Sequence, residues 1–241
     1  MSRTFKLQRK FYDDRLIYKK AQVTIEPGVT VLVGCNGAGK STLIYAMQQQ
    51  LKTHKINFVD YDNTKSGGNT AAQYAMDLGD IDGSLARCFS SEGENININL
   101  TRVVGHMVEY VRTGDYHKKH DFARAFAEAL GEPIEYDTGN ERWIFLDGID
   151  SGYSIDNLVD LKQLFGAIIL DCANNGLDPY IIVAANAYEL CRGSESCEGI
   201  RCLSVQDCKY VDIPDYDSYR QLILKTRKWK DNEIDKFNKK D

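Results

Sequence analysis

A glycine-rich run, G-C-N-G-A-G-K-S-T at residues 34–42, constrains the fold of this chain more than any other segment. It follows an apolar stretch at residues 29–33 that predicts a strand, and it leads into apolar residues at helical spacing over residues 41–54. Glycines let successive backbone N–H groups turn toward an anion, and the helix start presents the positive end of its dipole to the same point. The segment therefore predicts a strand, a phosphate-binding loop and a helix, with a simple glycine-rich turn as the alternative.

Each part of this loop suits a nucleoside triphosphate. Lys40 provides a positive charge for the β- and γ-phosphates, and the Ser41 hydroxyl is a ligand for Mg²⁺. The predicted nucleotide contacts are Gly34, Cys35, Asn36, Gly37, Ala38, Gly39, Lys40, Ser41 and Thr42. We expect a nucleotide and Mg²⁺ as cofactors, and the loop alone leaves ATP and GTP open.

Composition predicts one domain over residues 1–241 in the cytoplasm. The chain has 241 residues, 43% of them hydrophobic, and a net charge of −5, so a nucleic-acid partner is unsupported without a local basic patch. No apolar run is long enough to span a membrane, and the first ten residues lack the apolar core of a signal peptide. Seven cysteines without a secretion signal indicate reduced thiols.

Apolar runs that alternate with helical patterns predict an α/β fold, a P-loop NTPase with a mostly parallel sheet covered by helices. Predicted strands cover residues 16–18, 21–25, 29–33, 56–61, 143–146 and 180–185, and predicted helices cover residues 41–54, 70–78, 99–111 and 155–174. Residues 63–69 read as a flexible loop. Residues 114–139 form a candidate small helical insertion, and residues 225–241 a charged, solvated helix.

A second nucleotide motif is I-F-L-D at residues 144–147, an apolar strand that ends in a carboxylate. Behind a phosphate-binding loop, such a carboxylate lies beside the Mg²⁺ that the loop serine holds. Any buried strand can end in aspartate, so the motif indicates a metal ligand only in a chain that also has a phosphate-binding loop. We predict Asp147 as the second metal ligand, together with Ser41.

The residues around both motifs resemble those of ABC-type ATPases. L-D-G-I-D-S-G-Y-S at residues 146–154 is similar to the L-D-E-P-x-S-G-L-x stretch of that family, residues 25–42 resemble its opening, and S-S-E-G-E at residues 90–94 resembles its signature motif. The resemblance extends over residues 16–186. It implies an ATP-dependent head-to-tail homodimer, in which Ser91 and Gly93 of one subunit close over the γ-phosphate bound to the other. A capped helix start is the alternative for residues 90–94.

The chain departs from this family at two catalytic positions. The family's general-base glutamate corresponds to Gly148, and its switch histidine corresponds to Asn186, neither of which accepts a proton at neutral pH. Asp150 and Glu94 are candidate substitutes, so the resemblance implies catalytic roles for Asp147, Asp150 and Asn186 with slow or uncertain hydrolysis. Where the family has a Mg²⁺-sensing glutamine, this chain offers Asp60, Asp62 and Asn63.

Three functions remain open at this point. The first is an ATP-binding protein of the ABC-ATPase class, and its motifs resemble the soluble DNA-maintenance or phage-encoded branch more than transporter subunits. The second is a P-loop kinase of a nucleoside or small metabolite, with lid arginines drawn from Arg112, Arg124 and Arg142. The third is a regulatory scaffold that retains ATP without turnover, with a protein partner that the sequence does not identify.

Four cysteines near the carboxyl end raise a separate question of zinc binding. Cys191, Cys197, Cys202 and Cys208 follow the spacing C-x5-C-x4-C-x5-C, which lacks the paired C-x2-C of structural zinc sites. The spacing favours ordinary buried or surface thiols and leaves zinc as the alternative.

Overall fold

The computed structural model describes residues 2–10, 15–62, 104–105, 107–114, 129, 131, 139–150, 153–193, 197 and 199–238. Within them, the strands are β1 (Arg3–Lys6), β2 (Gln22–Ile25), β3 (Gly28–Val33), β4 (Phe58–Asp62), β5 (Glu141–Asp147), β6 (Asp178–Ala184), β7 (Ile200–Ser204) and β8 (Lys209–Val211). The α-helices are α1 (Lys40–Thr53), α2 (Ile155–Asn174) and α3 (Tyr216–Asn238), and a 3₁₀ helix covers Tyr188–Cys191. Residues 107–113 are also helical.

Six of these strands form one sheet in the order β4-β5-β6-β3-β7-β8. Neighbours from β4 to β7 are parallel, and β8 pairs with β7 in the antiparallel sense. Strands β1 and β2 form a separate antiparallel pair. The predicted α/β fold with a mostly parallel sheet is therefore confirmed.

Helices and the β1–β2 pair cover the two faces of the sheet, because its central strands are apolar on both sides. On one face, α2 buries Leu158, Leu161, Phe165, Ile168 and Cys172, which recur every three or four residues. On the other face, α1 buries Leu43, Ile44, Met47 and Leu51, and the β1–β2 pair adds Phe5 and Val23. Each fully buried side chain of this size stabilises the fold by about 1.5–3 kcal/mol before the entropy of ordering is subtracted.

The structure corrects several predicted boundaries. Residues 16–18 do not form a strand: Leu16 makes only an isolated bridge with Lys10. Strand β1 was not predicted, and the carboxyl-terminal helix begins at Tyr216 rather than residue 225, because the Asp215 carboxylate caps it by accepting a hydrogen bond from the Ser218 N–H. The predicted loop at residues 63–69, the helix at residues 70–78 and most of the insertion at residues 114–139 lie outside the described residues.

Candidate functional site

The candidate site lies where the parallel strands end. Carboxyl ends of parallel strands meet at one edge of a sheet, where ligands of open α/β folds bind. Residues 34–42, the glycine-rich loop, follow the end of β3, and Asp147 is the last residue of β5. The strand register sets Asp147 between Ala184 of β6 and Asp62 of β4. The loop, both carboxylates and the segment after β6 therefore share this edge.

The backbone of the glycine-rich loop needs glycine at residue 39. Gly39 has φ +93°, and a Cβ there would lie 2.6 Å from Cγ2 of Ile17. The hydroxyl of the buried Tyr18 donates a hydrogen bond of 2.9 Å to the Gly39 carbonyl oxygen, which fixes the last turn of the loop before α1. Tyr18 packs in the core and also supports the loop.

The amino-terminal end of α1 is suited to an anion. Its N-cap Gly39 provides no side chain, and no acidic residue lies in its first turn. The first N–H groups of a helix have no partners within it, and here they lie beside the exposed Ser41 and Thr42. Helix α2 begins differently, because the Ser154 hydroxyl accepts from the Asn157 N–H.

Lys40 lies between the loop and the end of β6. Its ammonium donates hydrogen bonds to the Gly34 carbonyl oxygen at 2.9 Å and to the Asn186 Oδ1 at 2.8 Å. Burial lowers the pKa of Lys40, and the charges of nearby groups, Asp150 and Asp147 among them, oppose that shift. The structure thus brings three predicted site residues, Lys40, Asn186 and Asp147, into one electrostatic cluster.

Asp147 lies at the start of α1 beside a second carboxylate. The Ser41 hydroxyl lies close enough to stabilise the charged Asp147 carboxylate, so the two predicted metal ligands are neighbours. Burial raises the pKa of Asp147, the nearby Ser41 hydroxyl lowers it, and the negative charge of Asp62 raises it further. One hydroxyl and two carboxylates are oxygen donors of the kind that Mg²⁺ prefers. Asp60 pairs with Phe145, two residues away from the edge, so Asp62 is the closer carboxylate of β4.

Asp150 and Asn186 are hydrogen-bonded at the same edge. The backbone N–H of Asn186 donates to Oδ2 of Asp150 at 2.6 Å, and the backbone carbonyl oxygen of Asn186 accepts from the Tyr219 hydroxyl. Gly148 has φ +62° and donates its N–H to the Ala184 carbonyl oxygen. The position after Asp147 therefore turns the chain and supplies no acid or base, while Asp150 is a carboxylate three residues further on.

Arg142 does not reach this site. It is 5% exposed, and its Nε donates to the Val111 carbonyl oxygen at 3.0 Å. It precedes Asp147 by five residues in β5, which is about 16 Å along a strand. Its assignment as a lid arginine is therefore wrong. The predicted contacts Ser91 and Gly93, and the candidates Glu94, Asn63 and Arg124, lie outside the described residues.

Helix α3 contributes contacts that the sequence did not predict. Thr226 and Lys230, which the sequence placed in a solvated helix, contact Cys35 and Asn36 of the glycine-rich loop. The sequence shows that Thr226 and Lys230 are one helical turn apart, but it does not show that this side of α3 packs against the loop.

The four carboxyl-terminal cysteines do not form one cluster. Cys191, Cys197 and Cys202 pack on the α2 face of the sheet, whereas Cys208 packs on the α1 face. Cys191 and Cys202 also line a surface cleft of about 500 Å³ that includes no residue of the glycine-rich loop. Among the described residues, no group of three or more histidine, cysteine or acidic side chains is arranged to hold a metal ion.

Comparison with known proteins gives no family for this chain. No protein-family model matches it, and no curated protein matches it either. In the described ranges, none of the helices has both the length and the apolar character needed to cross a bilayer.

Proposed function

We propose that this protein binds ATP and Mg²⁺ at the glycine-rich loop and acts as a P-loop ATPase of the ABC class with slow hydrolysis. The observation that carries the proposal is the meeting of Lys40, Ser41, Asp147 and Asn186 at the carboxyl edge of the sheet. A glycine-rich turn alone does not require a hydroxyl–carboxylate pair at the helix start or a lysine between the loop and the next strand. The uncapped start of α1 supports the same conclusion.

The donor set fits Mg²⁺. Ser41 and Asp147 would hold the ion, and Asp62 lies close enough to raise the pKa of Asp147. Two neighbouring carboxylates repel each other, and a bound divalent cation removes that repulsion. When bound, Mg²⁺ offsets phosphate charge, and Lys40 contributes its ammonium to the same phosphates.

Slow hydrolysis follows from the residues around Asp147. Gly148 supplies no general base, and Asn186 offers only hydrogen bonds. Asp150 is the described carboxylate best placed to substitute, because it already orients Asn186 and lies near Lys40. One of its oxygens accepts from the Asn186 N–H, so we expect Asp150 to position a water poorly and turnover to be low.

The proposed active form is a head-to-tail homodimer that buries two nucleotides. This part rests on the resemblance of residues 90–94 to the ABC signature, which assigns Ser91 and Gly93 to the partner's nucleotide. The same resemblance favours the soluble DNA-maintenance or phage-encoded branch over transporter subunits. Fold analogy alone supports that last assignment.

Light scattering with and without ATP and Mg²⁺ tests the proposal. We expect the mass to double on addition of nucleotide, and the Ser91→Arg variant to remain monomeric. The Gln49→Arg variant is the matched control, because residue 49 is exposed on α1 and should not block dimerisation. Bound ATP with an unchanged mass would contradict the dimer.

Phosphate release and transfer separate the other functions. Slow release of phosphate from ATP supports the proposed ATPase, whereas ATP retained without any release indicates a regulatory scaffold. Transfer of phosphate to a nucleoside or a small metabolite would identify a kinase, and it would contradict the proposal.

A further inference from the structure

One side of α3 contacts the candidate site. Tyr219, Thr226 and Lys230 are separated by seven and four residues, so they lie on the same side of the helix. Tyr219 donates its hydroxyl proton to the Asn186 carbonyl oxygen. Thr226 and Lys230, further along the helix, contact the glycine-rich loop. The same helix face therefore contacts two segments of the site.

Thr226 anchors α3 to the loop. Its hydroxyl oxygen accepts a hydrogen bond of 3.0 Å from the Cys35 N–H and donates its own proton to the Ile223 carbonyl oxygen. The buried Gln206 donates to the Thr226 carbonyl oxygen at 2.7 Å. Thr226 is 1% exposed, so these bonds are shielded from water and fix the position of the helix.

Lys230 follows Thr226 by one helical turn and reaches the tip of the loop. Its ammonium donates to the Asn36 carbonyl oxygen at 3.0 Å and lies 3.7 Å from the position that a Cβ on Gly37 would occupy. An ammonium has three donors, and this contact uses one of them. In the part of the chain that the structure describes, no carboxylate forms an ion pair with Lys230. A second positive charge is therefore held at the loop in addition to Lys40.

We propose that Lys230 is a second cation of the nucleotide site and that it increases the preference for nucleotides with more phosphates. The inference rests on the proposed binding of ATP at this loop. Attraction between an ammonium and a polyphosphate grows with the charge of the anion, so Lys230 strengthens binding of ATP more than binding of ADP or AMP. Helix α3 is then part of the site, and Thr226 is the residue that positions Lys230.

The test compares the Kd values of ATP, ADP and AMP at one ionic strength for wild type, Lys230→Ala, Lys230→Arg and Lys228→Ala. Lys228 is exposed on α3, so its replacement removes the same charge without a contact to the loop. We expect Lys230→Ala to weaken ATP binding about tenfold, as for the loss of one hydrogen bond between charged groups, and AMP binding less than twofold. Lys230→Arg should stay within about threefold of wild type, because it keeps the charge.

The outcomes separate this inference from the proposed function. If wild type binds ATP and Lys230→Ala behaves as Lys228→Ala does, Lys230 is not part of the site and only this inference fails. An equal loss for ATP, ADP and AMP in Lys230→Ala would mean that Lys230 merely holds Asn36, which also overturns it. If wild type binds no nucleotide, both proposals fail together.

Discussion

Replacing Gly39 by alanine is expected to destabilise the protein through a steric contact beneath the glycine-rich loop. Gly39 has φ +93°, a conformation that residues with a Cβ rarely adopt. The added Cβ would lie 2.6 Å from Cγ2 of Ile17 and 3.3 Å from the ring of Tyr18. Both side chains are buried, so neither can move aside without disturbing the core.

The expected loss has two parts. The left-handed conformation costs about 1–2 kcal/mol for a residue with a Cβ. The contact with Ile17 adds about 1–3 kcal/mol of overpacking, so Gly39→Ala should lower the free energy of unfolding by about 2–5 kcal/mol. At this chain length, that corresponds to a fall in Tm of about 4–20 °C. Urea denaturation followed by circular dichroism measures the free energy directly.

A matched control isolates the steric part. Gly176 has φ +67°, and a Cβ there would meet no atom within 4 Å, so Gly176→Ala should lose only about 1–2 kcal/mol. Replacing Ile17 by leucine removes the Cγ2 methyl, and the double variant Ile17→Leu/Gly39→Ala should recover at least about 0.5 kcal/mol relative to additivity. Equal losses for Gly39→Ala and Gly176→Ala, with an additive double variant, would refute the contact.

Three further outcomes follow from the site. Asp147→Asn should abolish the enhancement of ATP binding by Mg²⁺. The same variant should raise the free energy of unfolding at pH 7, because burial and the charge of Asp62 raise the Asp147 pKa, so the ionised carboxylate is disfavoured in the folded state. The stability gained by Asp147→Asn should shrink as the pH falls through about 4, because the Asp147 carboxyl then becomes protonated in the unfolded chain as well. A gain in stability that does not change with pH would contradict this. Burial lowers the pKa of Lys40, and an ordinary lysine has a pKa of about 10.4. In a pH titration, ATP affinity should therefore begin to decline below about pH 10.4. A decline that begins only above about pH 10.4 would contradict the burial of Lys40. Tyr18→Phe should lose about 0.5–1.5 kcal/mol of stability, because it removes one of the two hydrogen bonds that the Gly39 carbonyl oxygen accepts and leaves the one from the Leu43 N–H. The exposed Tyr45→Phe should lose nothing measurable in the same denaturation assay.

Local patterns predicted the elements that bury a continuous or periodic apolar surface. Helix α2 spans Ile155–Asn174, as its apolar spacing predicts, because that spacing matches the face it buries. The central strands were also predicted, since both of their faces are buried. Strand β1 was missed, because Phe5 is the one buried side chain of its four residues, which is too few to give a strong pattern.

The parts of the site that the sequence could not predict depend on packing between distant segments. Ser41 and Asp147 were predicted as partners from two local motifs, and the structure places the Ser41 hydroxyl near enough to lower the pKa of Asp147. Thr226 and Lys230 lie almost two hundred residues from the loop they contact, in a segment whose mixed charge is typical of a solvated helix. Arg142 shows the opposite error, because its charge suggested a phosphate contact although the side chain binds carbonyl oxygens in the interior.

Equilibrium binding of labelled ATP in the presence of Mg²⁺ tests the central claim most directly, with wild type, Lys40→Ala and the control Lys228→Ala compared at equal ionic strength. We predict that wild type and Lys228→Ala retain ATP, and that Lys40→Ala binds it at least about a hundredfold more weakly, because the variant loses a charged donor to two phosphates. Failure of wild type to retain ATP, or equal affinity in Lys40→Ala, would contradict the assignment of residues 34–42 as a nucleotide site.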